Sequence, residues 1–161
     1  MSLPLRLAGG AVLAAASFSP VLAQTGAVAP CNLLTAAEVT KAAGFTPSAP
    51  EPHTYGTTAT CRFTGNALKR ETVVVTVAKP APKVSSSAAM AAWRTEQGKR
   101  TPELASAASP VEGLGAPAIR SDDGSGPATI EAAVGGRLLG IAAPTFEAAQ
   151  ALAKAAIQRL H

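Results

Sequence analysis

The chain contains two cysteines, Cys31 and Cys61, and both follow an N-terminal segment that is typical of an export signal. That segment has one cation, Arg6, an apolar stretch over residues 7–18, and small residues around Ala23. This pattern predicts cleavage near Ala23 and a periplasmic or secreted protein. Because such compartments are oxidising, we expect the two cysteines to form one disulfide, which is the strongest constraint on the fold.

The sequence disfavours a membrane span, a lipid anchor, a redox-active cysteine pair and a zinc site. The apolar stretch is too short for a stable membrane span, so we predict no integral membrane segment after signal cleavage. A lipid anchor requires a cysteine directly after the apolar stretch, but Cys31 lies further downstream and follows Pro30. A redox pair more often has the C-x-x-C spacing. A zinc site would need more ligands than two cysteines, and the only histidines are His53 and His161, so no metal is predicted. No cofactor motif is recognisable, so no cofactor is predicted.

Length and charge indicate one small domain without nucleic-acid binding. We divide the chain into a signal at residues 1–23, a disordered leader at 24–30 and a single domain at 31–161. The formal charge is +4, and aromatic residues make up 4% of the chain. A mildly basic chain with so few stacking residues does not favour nucleic-acid binding. The pairs Lys69-Arg70 and Lys99-Arg100 are interpreted as solvated loop charge, or alternatively as a weak site for anionic lipids or polyanions.

The residues that follow Cys31 predict a short helix with both ends specified. Thr35 and Glu38 have the spacing of a capping box, in which each side chain accepts from the other residue's backbone N–H. Gly44 is suited to the left-handed conformation that ends a helix. The first helix is therefore predicted over Ala36–Ala43.

The rest of the chain predicts two more helices and five strands. The segment from Phe45 to Thr58 contains three prolines and a glycine, so we predict a loop there. Alternating β-branched residues indicate strands, and Gly135-Gly136 indicates a tight hairpin. The predicted strands are 60–64, 72–78, 116–121, 128–134 and 137–142; the helices run from Ser85–Ser87 to about Gln97 and from Pro144–Thr145 to the C-terminus, with a long connection over 99–115.

This order of elements predicts an α+β fold. Consecutive strands joined by short turns form antiparallel sheets, and the helices between and after them pack on the sheet. The expected architecture is an antiparallel β-sheet with packed helices, in the order α-β-β-α-β-β-β-α and arranged like an α/β/α sandwich.

The opening run C-x-L-L-T-x-x-E-V with its closing glycine resembles a group of small exported bacterial domains of unknown function, many of them putative lipoproteins or periplasmic proteins. A second cysteine at a strand, here Cys61, also matches, as do V-x-G-L-G-x-x-A over Val111–Ala118 and the final A-L-A-K-A-A helix. This chain departs from the lipoprotein members because no cysteine directly follows its signal. The resemblance implies a fold similar to the PsbP-like α/β/α sandwich, and it implies no catalytic residues.

The sequence also lacks a recognisable catalytic motif. There is no G-x-S-x-G nucleophile elbow and no histidine beside a plausible nucleophile. Asp122 and Asp123 lie in a glycine-rich turn, whereas a carboxylate acid–base pair needs a cleft that separates their pKa values. We therefore predict that the protein is not an enzyme.

Two binding hypotheses follow. The first is a periplasmic binding or accessory module that presents a sheet face or its long loops to an envelope protein or component. The second is a small-ligand carrier with a pocket between the sheet and the helix that contains Trp93. The candidate binding residues are those in the proline-rich segment and the cations in or beside strands: His53, Tyr55, Arg62, Lys79, Arg120 and Arg137.

Overall fold

The computed structural model describes residues 28–102, 108–121 and 126–161. Within these ranges the chain forms three α-helices and seven β-strands. The predicted signal at residues 1–23 and the pair Asp122-Asp123 lie outside the described residues. The elements are α1 (Ala36–Ala43), β1 (Glu51–Tyr55), β2 (Thr58–Thr64), β3 (Thr72–Ala78), α2 (Ser87–Arg100), β4 (Ala108–Val111), β5 (Ala118–Ser121), β6 (Ala128–Val134), β7 (Arg137–Ala143) and α3 (Phe146–Leu160).

The predicted α+β class is confirmed, with one more strand in each half than expected. The seven strands form one antiparallel sheet in the order β1-β2-β3-β7-β6-β5-β4. The chain therefore builds two meanders, β1–β3 and β4–β7, which join through the pair β3 and β7. The additional strands, β1 and β4, are the two edges of the sheet.

The prediction of a loop from Phe45 to Thr58 is wrong, because β1 occupies residues 51–55 and pairs with β2 through a tight turn at Gly56. All five residues of β1 are exposed, so this strand has none of the apolar alternation that marks a half-buried strand. The other edge strand, β4, was likewise missed inside the predicted connection 99–115. Each of these strands contains a proline, Pro52 in β1 and Pro110 in β4.

The predicted first helix is confirmed at both ends. The Thr35 hydroxyl accepts from the Glu38 backbone N–H at 3.2 Å, and a Glu38 carboxylate oxygen accepts from the Thr35 N–H at 2.8 Å. Gly44 has a φ of 76°, which is a conformation that glycine adopts without steric cost. The hairpin turn at Gly135-Gly136 is also as predicted, with both glycines at positive φ.

Helices α1 and α3 lie on one side of the sheet. The apolar stripe of α3 packs on β6 and β7, and α1 packs against α3. The core between them contains alternate residues of the central strands, including Phe63, Val75, Ile130 and Ile141. Most of the buried side chains belong to this one cluster, so its burial is the main source of stability in the fold.

Two interactions hold the start of the domain in place, a disulfide to β2 and a set of hydrogen bonds to the last helix. The predicted disulfide Cys31–Cys61 is present and fixes the first turn, Pro30–Asn32, to β2. Pro30 is buried and Val28 packs on the core, so the folded region begins within the segment predicted as a disordered leader. At the other end, the Arg159 guanidinium donates to the Leu33 carbonyl at 2.7 Å and to both Glu38 carboxylate oxygens.

Replacing Cys61 by Ser should lower the melting temperature and leave Cys31 available for intermolecular disulfides. The closed loop spans 30 residues of separation, for which loop entropy alone corresponds to about 3.5–4 kcal/mol before native strain is subtracted. Thermal unfolding and non-reducing electrophoresis measure the two effects. The Cys31→Ser/Cys61→Ser double variant, which cannot cross-link, is the control. An unchanged melting temperature in both variants would contradict a stabilising role for the bridge.

The ion pair between Glu38 and Arg159 should make stability depend on acid pH. The Arg159 hydrogen bond, aided by the Thr35 contacts, lowers the pKa of the Glu38 carboxyl to about 2. Since the folded-state pKa lies below the unfolded value, this contribution is present above about pH 4.5 and is lost as the pH falls towards 2. Glu38→Gln should cost about 1–2 kcal/mol at pH 7, after allowance for solvent screening, and much less at pH 2.

Urea denaturation at both pH values measures this difference in the free energy of unfolding. The matched control is Glu147→Gln, which removes an exposed first-turn carboxylate of α3. Equal losses for Glu38→Gln at pH 7 and pH 2 would show that the charge of Glu38 is not what stabilises the fold.

Candidate functional site

The second face of the sheet is only partly covered. Helix α2 packs on β4 and β5 and its Arg94 side chain reaches Glu131 of β6. Glu131 pairs with Gly140 and Ile119, and these residues point away from α3, because their neighbours Ile130 and Ala132 are in the α3 core. Among the described elements, α1 and α3 lie on one face and α2 lies on part of the other, so no described helix covers the second face of β1, β2, β3 and β7.

A groove follows this uncovered face. Its larger part is a cavity of about 590 Å³ bounded by the ends of β2 and β3 and the turn between them, and its smaller part is a hollow of about 150 Å³ further along β3, β7 and β6. The two parts meet at Val74 and Ala142, which line both. We call the two parts together the open-face groove; its lining residues are Arg62, Thr64, Ala67, Lys69, Arg70, Thr72, Val74, Thr76, Ala78, Gly126, Pro127, Thr129, Glu131, Leu138, Gly140, Ala142 and Pro144.

The groove floor consists of small and β-branched residues. Cross-strand pairing places Val74 opposite Ala142 and Thr76 opposite Gly140. Gly140 has no side chain above the sheet, and Ala142 has only a methyl group, so the floor is low along β7. Because strand residues alternate between faces, the same strand presents Leu139 and Ile141 to the core. The shallow floor is therefore a consequence of which alternate positions of β7 hold small residues.

The two ends of the groove differ in charge. Arg62 of β2 lies at one end, together with Lys69 and Arg70 of the β2–β3 turn. Glu131 lies at the other end and contacts Arg94 through a single Nη1–Oε1 distance of 3.4 Å. The groove therefore has a cationic end and an end with a carboxylate.

The contact between Glu131 and Arg94 leaves one hydrogen-bonding atom of each side chain without a partner in the described part of the chain. Among the described residues the second Glu131 oxygen, Oε2, and the Arg94 Nε have no hydrogen-bond partner, and both atoms are buried. Burial raises the pKa of the Glu131 carboxyl, and the Arg94 charge opposes this effect only in part. Because the folded-state pKa is raised, ionised Glu131 disfavours folding, and this cost develops as the pH rises above about 4.5.

The structure brings together three of the six sequence-based candidates for binding. His53 and Tyr55 of β1 lie on the uncovered face, since they pair with Thr60 and Thr58, and their rings stack with centroids 6.5 Å apart. Arg62 is on the same face and lines the groove. The exposed Glu51 is its cross-strand neighbour.

The other three candidates lie elsewhere. Arg120 pairs with the core residue Ile130, so it is on the α3 side, where its guanidinium lies 5.0 Å from the centroid of the Phe146 ring. Arg137 begins β7 opposite the buried Val134, also on the α3 side. Lys79 is an exposed residue directly after β3.

Several groove residues were not among the sequence-based candidates. Lys69 and Arg70 were interpreted as solvated loop charge, or alternatively as a weak site for anionic lipids or polyanions, and Glu131 was predicted only as part of a strand. One signal in the sequence does mark the floor, namely the alternation of Thr72, Val74 and Thr76 with Val73, Val75 and Val77 in β3. The side with two threonines is the groove side. By contrast, Trp93 is half-buried on α2 and is not part of the groove lining.

The described residues contain no group of metal ligands, and the comparisons with known proteins identify no family. In the ranges that the structure describes, no three His, Cys, Asp or Glu side chains are grouped as metal ligands, and no helix has both the length and the apolar composition to cross a bilayer. No family model, curated protein or solved structure matches this chain.

Arg94→Met should destabilise the fold by about 2–4 kcal/mol at pH 7, because it leaves the buried Glu131 carboxylate without its cation. The double variant Arg94→Met/Glu131→Leu should recover most of this loss, since two apolar side chains replace two poorly satisfied charges. Urea denaturation of both variants measures the free energy of unfolding. A double variant no more stable than Arg94→Met would mean that the lost packing of Arg94, rather than an unpaired carboxylate, causes the loss.

Proposed function

We propose that the protein is an exported, non-enzymatic binding module that receives a small ligand in the open-face groove. The observation that supports this proposal is the uncovered half of the second sheet face. A sheet face without a helix above it leaves apolar surface available for binding, and the groove along it has the volume of an ordinary ligand site, which is about 300–1,000 Å³.

The groove also has the composition of a binding site. Its floor is largely apolar through Val74, Ala142 and Leu138, and a few polar groups lie at its ends. Binding sites for small molecules combine an apolar surface with a small number of polar groups that orient the ligand. This version of the carrier hypothesis places the ligand beside the exposed part of the sheet, rather than under the Trp93 helix.

Presentation of a sheet face or of the long loops to an envelope protein or component remains a prediction from the sequence. His53 and Tyr55, at the β1 margin of the face, are the residues at which that prediction is best tested. Tyr55 is 70% exposed, and exposed tyrosines are common at the centres of protein interfaces.

A fragment screen followed by amide NMR tests the groove. We expect weakly binding fragments to shift the amide resonances of Val74, Gly140 and Ala142, and we expect Ala142→Phe to reduce binding at least 10-fold by filling the floor. The matched control is Ala151→Phe, at an exposed position of α3, which should bind as the original chain does. Both variants are first checked for the native disulfide and an unchanged far-UV spectrum.

The result that would overturn the proposal is a screen in which no fragment shifts groove resonances. Shifts confined to His53, Tyr55 and neighbouring β1 amides on addition of an envelope extract would favour the protein-partner hypothesis instead.

A further inference from the structure

The cationic end of the open-face groove brings three positively charged side chains to one cavity. Arg62, Lys69 and Arg70 line the larger cavity, and no acidic residue among the described residues lines it with them. The described ion pairs of the protein also leave out these three cations. Thr64 and Thr72, which pair across β2 and β3, add two hydroxyl-bearing side chains to the same cavity. Cations and hydroxyl groups together are the donors that bind phosphate oxygens.

The turn that presents Lys69 and Arg70 is held in one conformation by internal hydrogen bonds. The Glu71 carboxylate accepts from the Asn66 N–H at 2.7 Å, and the Asn66 side chain accepts from the Leu68 N–H at 3.0 Å. The Gly65 N–H donates to the Glu71 carbonyl at 2.7 Å, and the Gly65 backbone lies so close to Phe45 that a Cβ there would be 2.5 Å from the ring. These constraints order the backbone before a ligand binds, which reduces the entropy cost of binding.

Arg70 occupies a backbone position that suits another residue better. It ends the short 3-10 turn Ala67–Lys69 with a φ of 55°, in the left-handed region. Glycine and asparagine adopt that region most readily, whereas a long side chain there carries a conformational cost. A residue that is suboptimal for the turn but adds a cation to a cavity is more readily explained by binding than by stability.

The rest of the groove indicates the chemical character of the other part of the ligand. Val74, Ala142, Pro127 and Pro144 give the cavity apolar walls beside the cations. At the far end Glu131 disfavours a second anionic group. A ligand that matches this surface has one strongly anionic end and an apolar body.

We propose that the cationic end of the groove binds the phosphate group of a small phosphate monoester, whose apolar body lies along Val74 and Ala142. This inference rests on the proposed function of the groove. Three cations match a phosphate dianion better than the single charge of a carboxylate, and arginine binds phosphate oxygens in a bidentate manner. The ligand is a free small molecule, because the apolar part of the site is a groove of limited volume on the sheet.

Phenyl phosphate is a suitable probe, and its affinity is measured by calorimetry and amide NMR at low salt. We expect it to shift groove amides and to bind at least 10-fold more tightly than either benzyl alcohol or inorganic phosphate. Arg62→Gln and Arg70→Asn should each weaken binding at least 5-fold, and Lys154→Gln, an exposed cation of α3, should not. Added salt should also weaken the complex, since solvent-exposed charges are screened.

Arg70→Asn separates binding from folding. Because asparagine tolerates the left-handed conformation, this variant should have an unchanged or higher melting temperature while its affinity for phenyl phosphate falls. Lower affinity accompanied by a lower melting temperature would instead indicate that Arg70 acts through the structure of the turn.

Each remaining outcome overturns a defined part of the inference. Equal binding of benzyl alcohol would overturn the phosphate assignment and leave the groove as a site for neutral ligands, whereas equal binding of inorganic phosphate would overturn the role of the apolar floor. Binding only to vesicles that contain phosphatidic acid would show that the source of the phosphate is a lipid surface. If phenyl phosphate and the fragment library all fail to shift groove amides, the proposed function fails together with this inference.

Discussion

The packing of α3 on one face of the sheet is the interaction on which the other features depend. Its apolar stripe covers the centre of the sheet, and α1 then packs against α3 rather than directly on most of the strands. Arg159 joins the end of this helix to Glu38 in the cap of α1, and the disulfide holds the preceding turn on β2. The first and last described elements thus support the same core, although they are more than 100 residues apart in the chain.

The groove is present because a single helix of the described chain lies on the second face. Seven strands at about 4.8 Å spacing make a sheet about 30 Å wide, whereas one helix with its side chains covers about 10 Å. In the described chain α2 is the helix on that face, and the Ser87 hydroxyl, which donates to the Val111 carbonyl and accepts from the Ala118 N–H, fixes it over β4 and β5. The opposite half of that face is consequently exposed, and its threonines and small residues are suited to that exposure.

The sequence was informative wherever local chemistry or periodicity determined the structure. The cap at Thr35, the left-handed Gly44, the alternating valines of β3 and the two-glycine hairpin were all predictable from neighbouring residues. The edge strands were not, because a strand such as Glu51–Tyr55 is defined by its pairing with β2 and not by burial. Nor was the groove, which depends on long-range register: Val74 lies beside Ala142 only after the two meanders have paired through β3 and β7.

The prolines of the two edge strands limit self-association of the protein at high concentration. A sheet edge presents unpaired backbone N–H and C=O groups, and these groups readily pair with the edge of a second molecule. Pro52 in β1 and Pro110 in β4 each remove one N–H donor and restrict the backbone at the two places where such pairing could start. The sheet can therefore leave half of one face exposed with less risk that its margins start aggregation.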